Sequence, residues 1–303
     1  MTPILHHYDI SNFSEKVRVA FGLKGMAWRS VVIPATLPKP DYEPLTGGYR
    51  RTPALQIGAH VYCDTRLILA ELERRQPEPT LYPGGRGLHE AIASWAESRL
   101  LWPAGRLATG RNADALPAEF HADRAAMLGR PAPSADKVRA AGERALAQLR
   151  PQLAWAEEIC ASARPFLLGE RPGVADLALY IVFWFLRRFP RDVLAELAPS
   201  PTLAAWMERV AAIGHGARSE MTAAAALDEA RASEPAPLDP GTPMDGLAAG
   251  DRVAVAPEEG TSAPVEGVVV RLADDEIALS REHPRVGRVV VHLPRLGYAV
   301  RRC

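Results

Sequence analysis

The order of strand-like and helix-like segments at the start of the chain constrains its fold more than any other feature. An apolar run is followed by apolar residues at helical spacing and then by a β-branched run. After a loop rich in proline and glycine come two short runs about a turn at Gly58, and then a second helical pattern. The order β-α-β-loop-β-β-α predicts a small α/β sheet with helices packed against it. The predicted elements are Ile4–Tyr8, Phe13–Leu23, Trp28–Ile33, Ala54–Ile57, His60–Cys63 and a helix over Thr65–Arg75.

The rest of the chain divides into a helical part and a β-rich part. From Leu88 onward the apolar residues recur at helical spacing, which predicts an all-α domain over 88–218 after a first domain over 1–82. The stretch 219–243 is rich in Ala, Glu, Asp and Pro, and this composition is typical of a linker or a poorly packed helix. Short β-rich runs over 244–303 predict a small SH3-like barrel of about five strands.

Composition excludes several classes of partner. Lys+Arg and Asp+Glu both total 36, and the segment from Asp251 to Cys303 carries eight arginines and eight acidic residues, so we expect no nucleic-acid role. The most apolar run, Leu177–Leu186, is too short to span a bilayer. The N-terminus lacks the pattern of a signal peptide, and the three cysteines lack metal-site spacing. We therefore expect a cytoplasmic protein without a metal or a membrane partner.

The segment "ISNFSEKVR" places two hydroxyls, Ser11 and Ser14, at the junction between the first predicted strand and the first predicted helix. Backbone N–H groups and the positive end of the helix dipole favour an anion there, and a thiol at such a place has a lowered pKa. A serine hydroxyl that donates to a bound thiolate would stabilise it further. Ser11 is equally well interpreted as a simple N-cap, and one hydroxyl can serve both purposes.

Four motifs in sequence resemble the cytosolic glutathione transferase family. "SNFSEKVRVAFGLKG" resembles its first-helix segment, "RRTPAL" the stretch around its cis-proline, "CDTRLILAELE" the acid-hydroxyl pair that opens its third helix, and "FLLGERPGVADLALY" the start of a core helix of its second domain. The resemblance covers Met1 to about Gly214 and implies a thioredoxin-like domain followed by a helical domain. The segment after Pro240 lies outside the family pattern.

The resemblance implies a serine-type site. Ser11 matches the hydroxyl that activates glutathione in serine-type members, whereas cysteine-type relatives place a thiol there and perform disulfide exchange, which a hydroxyl cannot do. Ser14 is expected to be only a residue of the first helical turn. In tyrosine-type relatives a tyrosine at the end of strand one acts instead, and Tyr8 lies one residue away from that position, so it is the alternative catalytic residue.

The loop before the third strand is expected to hold the middle and the glycyl end of glutathione. Pro53 forces Thr52 towards an extended backbone that offers its N–H and C=O to a peptide. The resemblance implies that Pro53 is cis and that Thr52 pairs with the cysteinyl part, whereas a rigid turn is the structural alternative. Arg51 matches the family best as the partner of the glycyl carboxylate, and Lys39 is a further candidate.

Asp64 and Thr65 stand at the start of the third predicted helix. The resemblance implies that they hold the γ-glutamyl end of glutathione, with Thr65 replacing the usual serine. A plain N-cap at Asp64 explains the same residues structurally. For the second substrate, Trp95, Arg99 and Trp102 share one helical face that borders both the second-substrate pocket and the dimer interface in the family, and packing is the alternative. The segment Thr109–Pro133 is expected to cover the pocket as a lid or a short extra helix.

Two functions follow from these patterns. The first is a glutathione transferase, expected as a homodimer, that stabilises the thiolate of its co-substrate glutathione and adds it to a small hydrophobic electrophile in a detoxification reaction. The second is a non-catalytic binding or adaptor protein that keeps the fold and uses the C-terminal barrel for protein partners. Asn12, where many relatives have proline, and the long proline-rich loop favour the second function.

Overall fold

A computed structural model describes residues 1–162 and 164–303. The N-terminal part forms a four-stranded mixed sheet in the order β4-β3-β1-β2, in which β1 is parallel to β2 and antiparallel to β3. This arrangement confirms the predicted α/β domain. Its elements are β1 (Ile4–His7), α1 (Asn12–Lys24), β2 (Ala27–Val32), α2 (Glu43–Thr46), β3 (Ala54–Ile57), β4 (His60–Cys63) and α3 (Thr65–Arg75).

The helical domain follows directly. Its helices are α4 (Arg86–Trp95), α5 (Leu101–Arg111), α6 (Ala118–Met127), α7 (Ala135–Cys160), α8 (Val174–Arg187), α9 (Val193–Glu196) and α10 (Pro201–Ala211). The sequence predicts one continuous segment where α4 and α5 lie, but a π-helical turn over Ala96–Leu100 joins them. The apolar helix α8 is buried over most of its length and packs against α1, α4 and α5, so it anchors the helical domain to the sheet.

The C-terminal part contains β5 (Ala217–Glu220), α11 (Ala223–Arg231), β6 (Arg252–Pro257), β7 (Val265–Leu272), β8 (Glu276–His283), β9 (Gly287–Pro294) and β10 (Tyr298–Arg302). The last five strands pair antiparallel in the order β10-β6-β7-β8-β9, because β10 returns to pair with β6. The expected small C-terminal β domain is therefore confirmed.

The segment 219–243 is more ordered than a linker. β5 pairs in parallel with β2, and α11 buries Ala226, Leu227 and Ala230 against the sheet. Gln56 Nε2 also donates a hydrogen bond of 2.8 Å to the carbonyl of Ala226. Alanines at helical spacing bury little surface each, so their signal in the sequence is weak although the helix packs well.

The β domain continues the N-terminal sheet instead of standing apart from it. Strand β9 pairs in parallel with β4, with Tyr62 opposite His292, and this gives one ten-stranded sheet. Alternate residues of the N-terminal strands face two different cores: Leu5 packs towards the helical domain, whereas Ile4 and Val61 pack towards the β domain. Each edge strand of the predicted four-stranded sheet is thus covered by the chain's own C-terminal part.

Candidate functional site

Ser11 is the N-cap of α1. Its Oγ accepts a hydrogen bond of 3.2 Å from the backbone N–H of Ser14, and its own N–H donates to the carbonyl of Tyr8 over 3.1 Å. A hydroxyl has one proton to donate besides the lone pairs with which it accepts. The capping bond therefore leaves the Ser11 proton available to a thiolate, so both interpretations of this residue are compatible. Ser11 is buried, with an exposed fraction of 4%.

Ser14 and His7 lie behind this junction. The Ser14 side chain is fully buried, and within the described part of the chain its Oγ contacts no hydrogen-bond partner. His7 lies within hydrogen-bonding distance of Ser30 Oγ and of the Arg18 guanidinium, both at 3.0 Å. Burial, together with the positive charge of Arg18, lowers the pKa of His7 to about 3. His7 is thus neutral at physiological pH and is too weak a base to take a proton from a thiol.

Tyr8, the alternative catalytic residue, is tied to the helical domain. Its hydroxyl accepts a hydrogen bond of 3.0 Å from Arg124 of α6, and Arg124 also donates to the carbonyl of Ala35 over 3.0 Å. The neighbouring Asp123 forms a 2.5 Å ion pair with Arg50. The segment 109–133 thus contributes a short helix that lies against the proline-rich loop.

The loop before β3 is organised around Lys39. The peptide bond between Thr52 and Pro53 is cis, as the resemblance implies. Lys39 Nζ donates to Thr52 Oγ1 over 2.8 Å and to the carbonyl of Arg50 over 3.0 Å. Burial lowers the pKa of Lys39 to about 8. Lys39 was expected to offer its charge to a carboxylate, but two of its three N–H groups hold the loop that carries Thr52.

Arg51 contacts the C-terminal β domain. One N–H of its guanidinium donates to the carbonyl of Glu259, which lies in the loop between β6 and β7, over 2.9 Å. Within the described residues its Nε has no hydrogen-bond partner, although the atom is buried. The hydroxyl of Tyr42 donates to the Arg51 carbonyl over 2.7 Å and fixes the backbone there. Arg51 thus has one N–H engaged by the β domain, while its Nε is buried without a partner among the described residues.

Asp64 is the N-cap of α3 and has a left-handed backbone with φ of 75°. One carboxylate oxygen accepts from the N–H of Arg66 over 3.0 Å, and the other accepts from the hydroxyl of Tyr298 over 3.3 Å. Thr65 follows in the first turn of the helix and is buried. Tyr298 could not be predicted as a partner of Asp64, because it lies 234 residues away on β10 and no local pattern in either segment indicates the contact.

Trp95, Arg99 and Trp102 line one groove, as their helical spacing predicts. The groove has a volume of about 860 Å³, and α7 forms its other wall. Trp102 and Trp155 are 44% and 54% exposed there. Glu259 also borders the groove, so the β6–β7 loop connects it to the neighbourhood of Arg51.

The residue that caps α1 is Ser11, and none of the three cysteines stands at that position. Burial raises the pKa of the Cys160 thiol to about 12 and that of Cys63 well above its ordinary value, which leaves both as thiols at neutral pH. Cys303 is exposed at the last position of the sequence. Over residues 1–162 and 164–303 no group of three or more potential ligands is placed to hold a metal ion, and no helix has the length and hydropathy needed to cross a membrane.

Comparison with known proteins identifies the family. Residues 5–80 match the model of the glutathione S-transferase N-terminal domain, and residues 139–209 match that of the C-terminal domain. A GST-like protein from Pseudomonas syringae is 36% identical over 100% of this chain and 99% of its own, with a TM-score of 0.82. The chain therefore belongs to the glutathione S-transferase family.

More distant structures share the fold alone. A glutathione S-transferase from Rhodospirillum rubrum is 21% identical over 69% of this chain and 87% of its own, with a TM-score of 0.52. A beta-etherase from Sphingobium sp. strain SYK-6 is 18% identical over 70% of this chain and 96% of its own, with a TM-score of 0.51. The match to the Pseudomonas protein also includes the C-terminal β domain. No functionally curated protein matches the chain.

Proposed function

We propose that this protein binds reduced glutathione, stabilises its thiolate with Ser11 and adds it to a small hydrophobic electrophile. The position of Ser11 supports the proposal most directly. Its Oγ caps α1 by accepting from Ser14, so its proton remains available where the helix dipole favours a negative charge. A hydrogen bond to a charged group contributes about 1.5–3 kcal/mol, which corresponds to roughly one to two units of thiolate pKa.

The charges around Ser11 complement those of glutathione, which carries two carboxylates and one ammonium group. Asp64 supplies an acceptor for the ammonium, and the hydroxyl of Thr65 with the first N–H groups of α3 supplies donors for the adjacent carboxylate. The backbone of Thr52 pairs with the cysteinyl part. Arg51, with Lys39 behind it, supplies positive charge for the glycyl carboxylate.

The groove beside Trp95, Arg99 and Trp102 is the proposed place of the electrophile or of a second subunit. Its aromatic faces suit an apolar ring, and its exposed tryptophans would be covered in a homodimer. Equilibrium sedimentation separates the two occupants, because a dimer interface there would be weakened by Trp102→Glu.

The second candidate function is a non-catalytic adaptor. The observation that favours it is the involvement of the β domain with two of the proposed glutathione contacts, since Glu259 engages Arg51 and Tyr298 engages Asp64. An adaptor that has lost the site would use these contacts only to hold its β domain. It would then not bind glutathione.

Calorimetric titration with reduced glutathione tests the proposal, together with the ultraviolet absorbance of the bound thiolate as a function of pH. We expect binding in the micromolar-to-millimolar range and a thiolate pKa that is lowered in the wild type but not in Ser11→Ala. The absence of binding in the wild type would contradict the transferase and favour the adaptor. Binding without a lowered thiolate pKa would contradict the role of Ser11.

A further inference from the structure

We propose that Tyr298, on the last strand of the C-terminal β domain, is a positioning residue of the glutathione site that holds Asp64 for the ammonium group of the γ-glutamyl end. The inference rests on the proposed function, because it assigns a residue to the same site. It gives the β domain, which lies outside the transferase pattern, a part in binding.

The first step is the geometry of the Asp64 carboxylate. Its two oxygens are held from two sides, by the N–H of Arg66 at 3.0 Å and by the Tyr298 hydroxyl at 3.3 Å. The carboxylate is therefore fixed by one bond from its own helix and by one from the β domain. An ionised carboxylate has about four lone-pair sites, so two bonds leave room for an ammonium ligand.

The second step is the direction of the hydrogen bonds. The hydroxyls of Tyr298 and Tyr49 lie 3.4 Å apart. The Tyr298 hydroxyl is oriented to donate to either Tyr49 or Asp64, and because it has one proton and the carboxylate is the charged acceptor, we assign that proton to Asp64, with Tyr49 as the competing acceptor. Burial raises the pKa of both tyrosines well above the ordinary value, so both stay protonated donors at neutral pH.

The third step is the rigidity of the support. Tyr298 is only 7% exposed and belongs to the same apolar core as Tyr49 and Val61. Strand β10 pairs with β6, and the β domain is joined to β4 through β9. Asp64 directly follows β4, the strand that pairs with β9. The β domain therefore contacts this part of the chain twice, through the β4–β9 pairing and through Tyr298. A side chain locked in this way can preorganise a binding group at little entropic cost.

The chemical consequence is selectivity for a ligand with a free α-amino group. An oriented carboxylate benefits an ammonium ligand, whereas it gives no advantage to an analogue without that amine. Loss of the hydrogen bond between Tyr298 and Asp64 should therefore weaken the binding of glutathione and leave the binding of the analogue unchanged. If Tyr298 only held the β domain in place, its substitution would weaken the binding of both ligands equally.

The experiment titrates the full chain, as wild type and as Tyr298→Phe, with reduced glutathione and with glutaryl-cysteinylglycine, which lacks the α-amino group. We expect about threefold weaker binding of glutathione in Tyr298→Phe, the size expected when one side chain must be ordered on binding, and unchanged binding of the analogue. Tyr49→Phe removes the competing acceptor, so it should slightly strengthen glutathione binding, again without affecting the analogue. It provides the same test should Tyr298→Phe fail to fold.

Tyr62→Phe is the matched control, since Tyr62 stacks on His292 at 4.1 Å in the same interface but is not bonded to Asp64. It should bind both ligands as the wild type does. Equal losses for both ligands, or no loss for either, would overturn the role of Tyr298 while leaving the transferase intact. Failure of the wild type to bind glutathione would overturn the proposed function and this inference with it.

Discussion

Two strand-to-helix junctions of the N-terminal sheet look alike in sequence but are built differently. The junction before α1 is capped by Ser11, and the junction before α3 is capped by Asp64. The side chain of Ser11 is engaged by Ser14, three residues away. Asp64, in contrast, also contacts Tyr298 at the other end of the chain. The first junction is a local structure, whereas the second depends on the complete fold.

The caps also leave the two helix ends with different charge. Both ends carry the partial positive charge of their N–H groups. At α3 the Asp64 carboxylate already supplies a negative charge, so that junction suits the cationic part of a ligand beside the anion-binding N–H groups. At α1 the cap is a neutral serine, so the positive end of this helix has no negative charge beside it from the cap. A bound thiolate can supply that charge. The difference predicts that a change at each junction affects a different property of the bound glutathione.

The largest effect is expected from Ser11→Ala. Removal of the hydroxyl should raise the pKa of bound glutathione by one unit or more and lower kcat/KM at pH 7 by about 10- to 100-fold, because one hydrogen bond to the thiolate is lost. The lost cap should cost about 1 kcal/mol in the free energy of unfolding. Stopped-flow absorbance and chemical denaturation measure the two effects.

Ser200→Ala is the matched control for the stability part. Ser200 caps α10 by accepting from Leu203 over 3.3 Å, in the helical domain. The Ser200→Ala variant should lose a similar amount of free energy of unfolding, while the pKa of the bound thiolate remains that of the wild type. A Ser11→Ala enzyme with an unchanged thiolate pKa would assign Ser11 to the cap alone.

A smaller effect is expected from Asp64→Asn. Asparagine caps helices as well as aspartate and has the same shape, so it should adopt the Asp64 backbone (φ 75°, ψ 138°) and preserve the fold. Loss of the charge should weaken glutathione binding by about tenfold, as for a charged hydrogen bond, without raising the thiolate pKa. Calorimetry and the absorbance titration of the same samples measure both. A raised thiolate pKa in Asp64→Asn would mean that the two junctions are not separate in function.

The contrast also explains what could be predicted from the sequence. The strands Ala54–Ile57 and His60–Cys63 and the helix Thr65–Arg75 have the predicted bounds, because each has a local pattern and a clear cap or turn. The pairing of β4 with β9 and the contact between Asp64 and Tyr298 join segments more than 200 residues apart, and no local pattern specifies such contacts.

Gly173 is a second feature whose structural reason depends on packing between distant segments. This glycine is the N-cap of α8, a position at which serine, threonine, asparagine and aspartate are generally preferred. In the structure a Cβ at this position would lie 2.3 Å from His89 and 2.9 Å from the carbonyl of Leu81, so no larger residue fits. Asp176 still accepts from the N–H of Gly173 over 3.0 Å. The packing that restricts this position to glycine joins separate segments, so no local pattern in the sequence specifies it.

A weaker, pH-dependent effect concerns Lys39, which serves neither junction directly. With a pKa of about 8, its side chain loses its positive charge as the pH rises through 8. Affinity for S-methylglutathione, which has no thiol to titrate, should fall by about threefold from pH 7 to pH 9 through the lost Coulomb attraction. Lys39→Gln should show no such step at pH 8, and a step that persists there would contradict the assignment.

The effect of Lys39 on stability has the opposite sign. The ordinary pKa of lysine is 10.5, so between pH 8 and 10.5 the unfolded chain holds a proton at this residue that the folded protein has lost. Stability should therefore rise with pH in this window through Lys39. Urea denaturation of the wild type and Lys39→Gln at pH 7.5 and 9.5 measures the difference between them.

The smallest effect is expected from Arg124→Ala, which loosens α6 from the β1–α1 junction and the proline-rich loop, although the Asp123–Arg50 ion pair remains. The substitution removes the bonds to Tyr8 and Ala35 but none to Ser11 or Asp64. We expect the association and dissociation rates of glutathione both to rise by about two- to threefold, with little change in Kd. A loosened α6 should ease entry to and exit from the site without changing the contacts of the bound ligand. Arg130→Ala, an exposed residue beyond the same helix, is the control. If Arg124→Ala instead raised the thiolate pKa as much as Ser11→Ala does, Tyr8 with its arginine partner would replace Ser11 as the group that stabilises the thiolate.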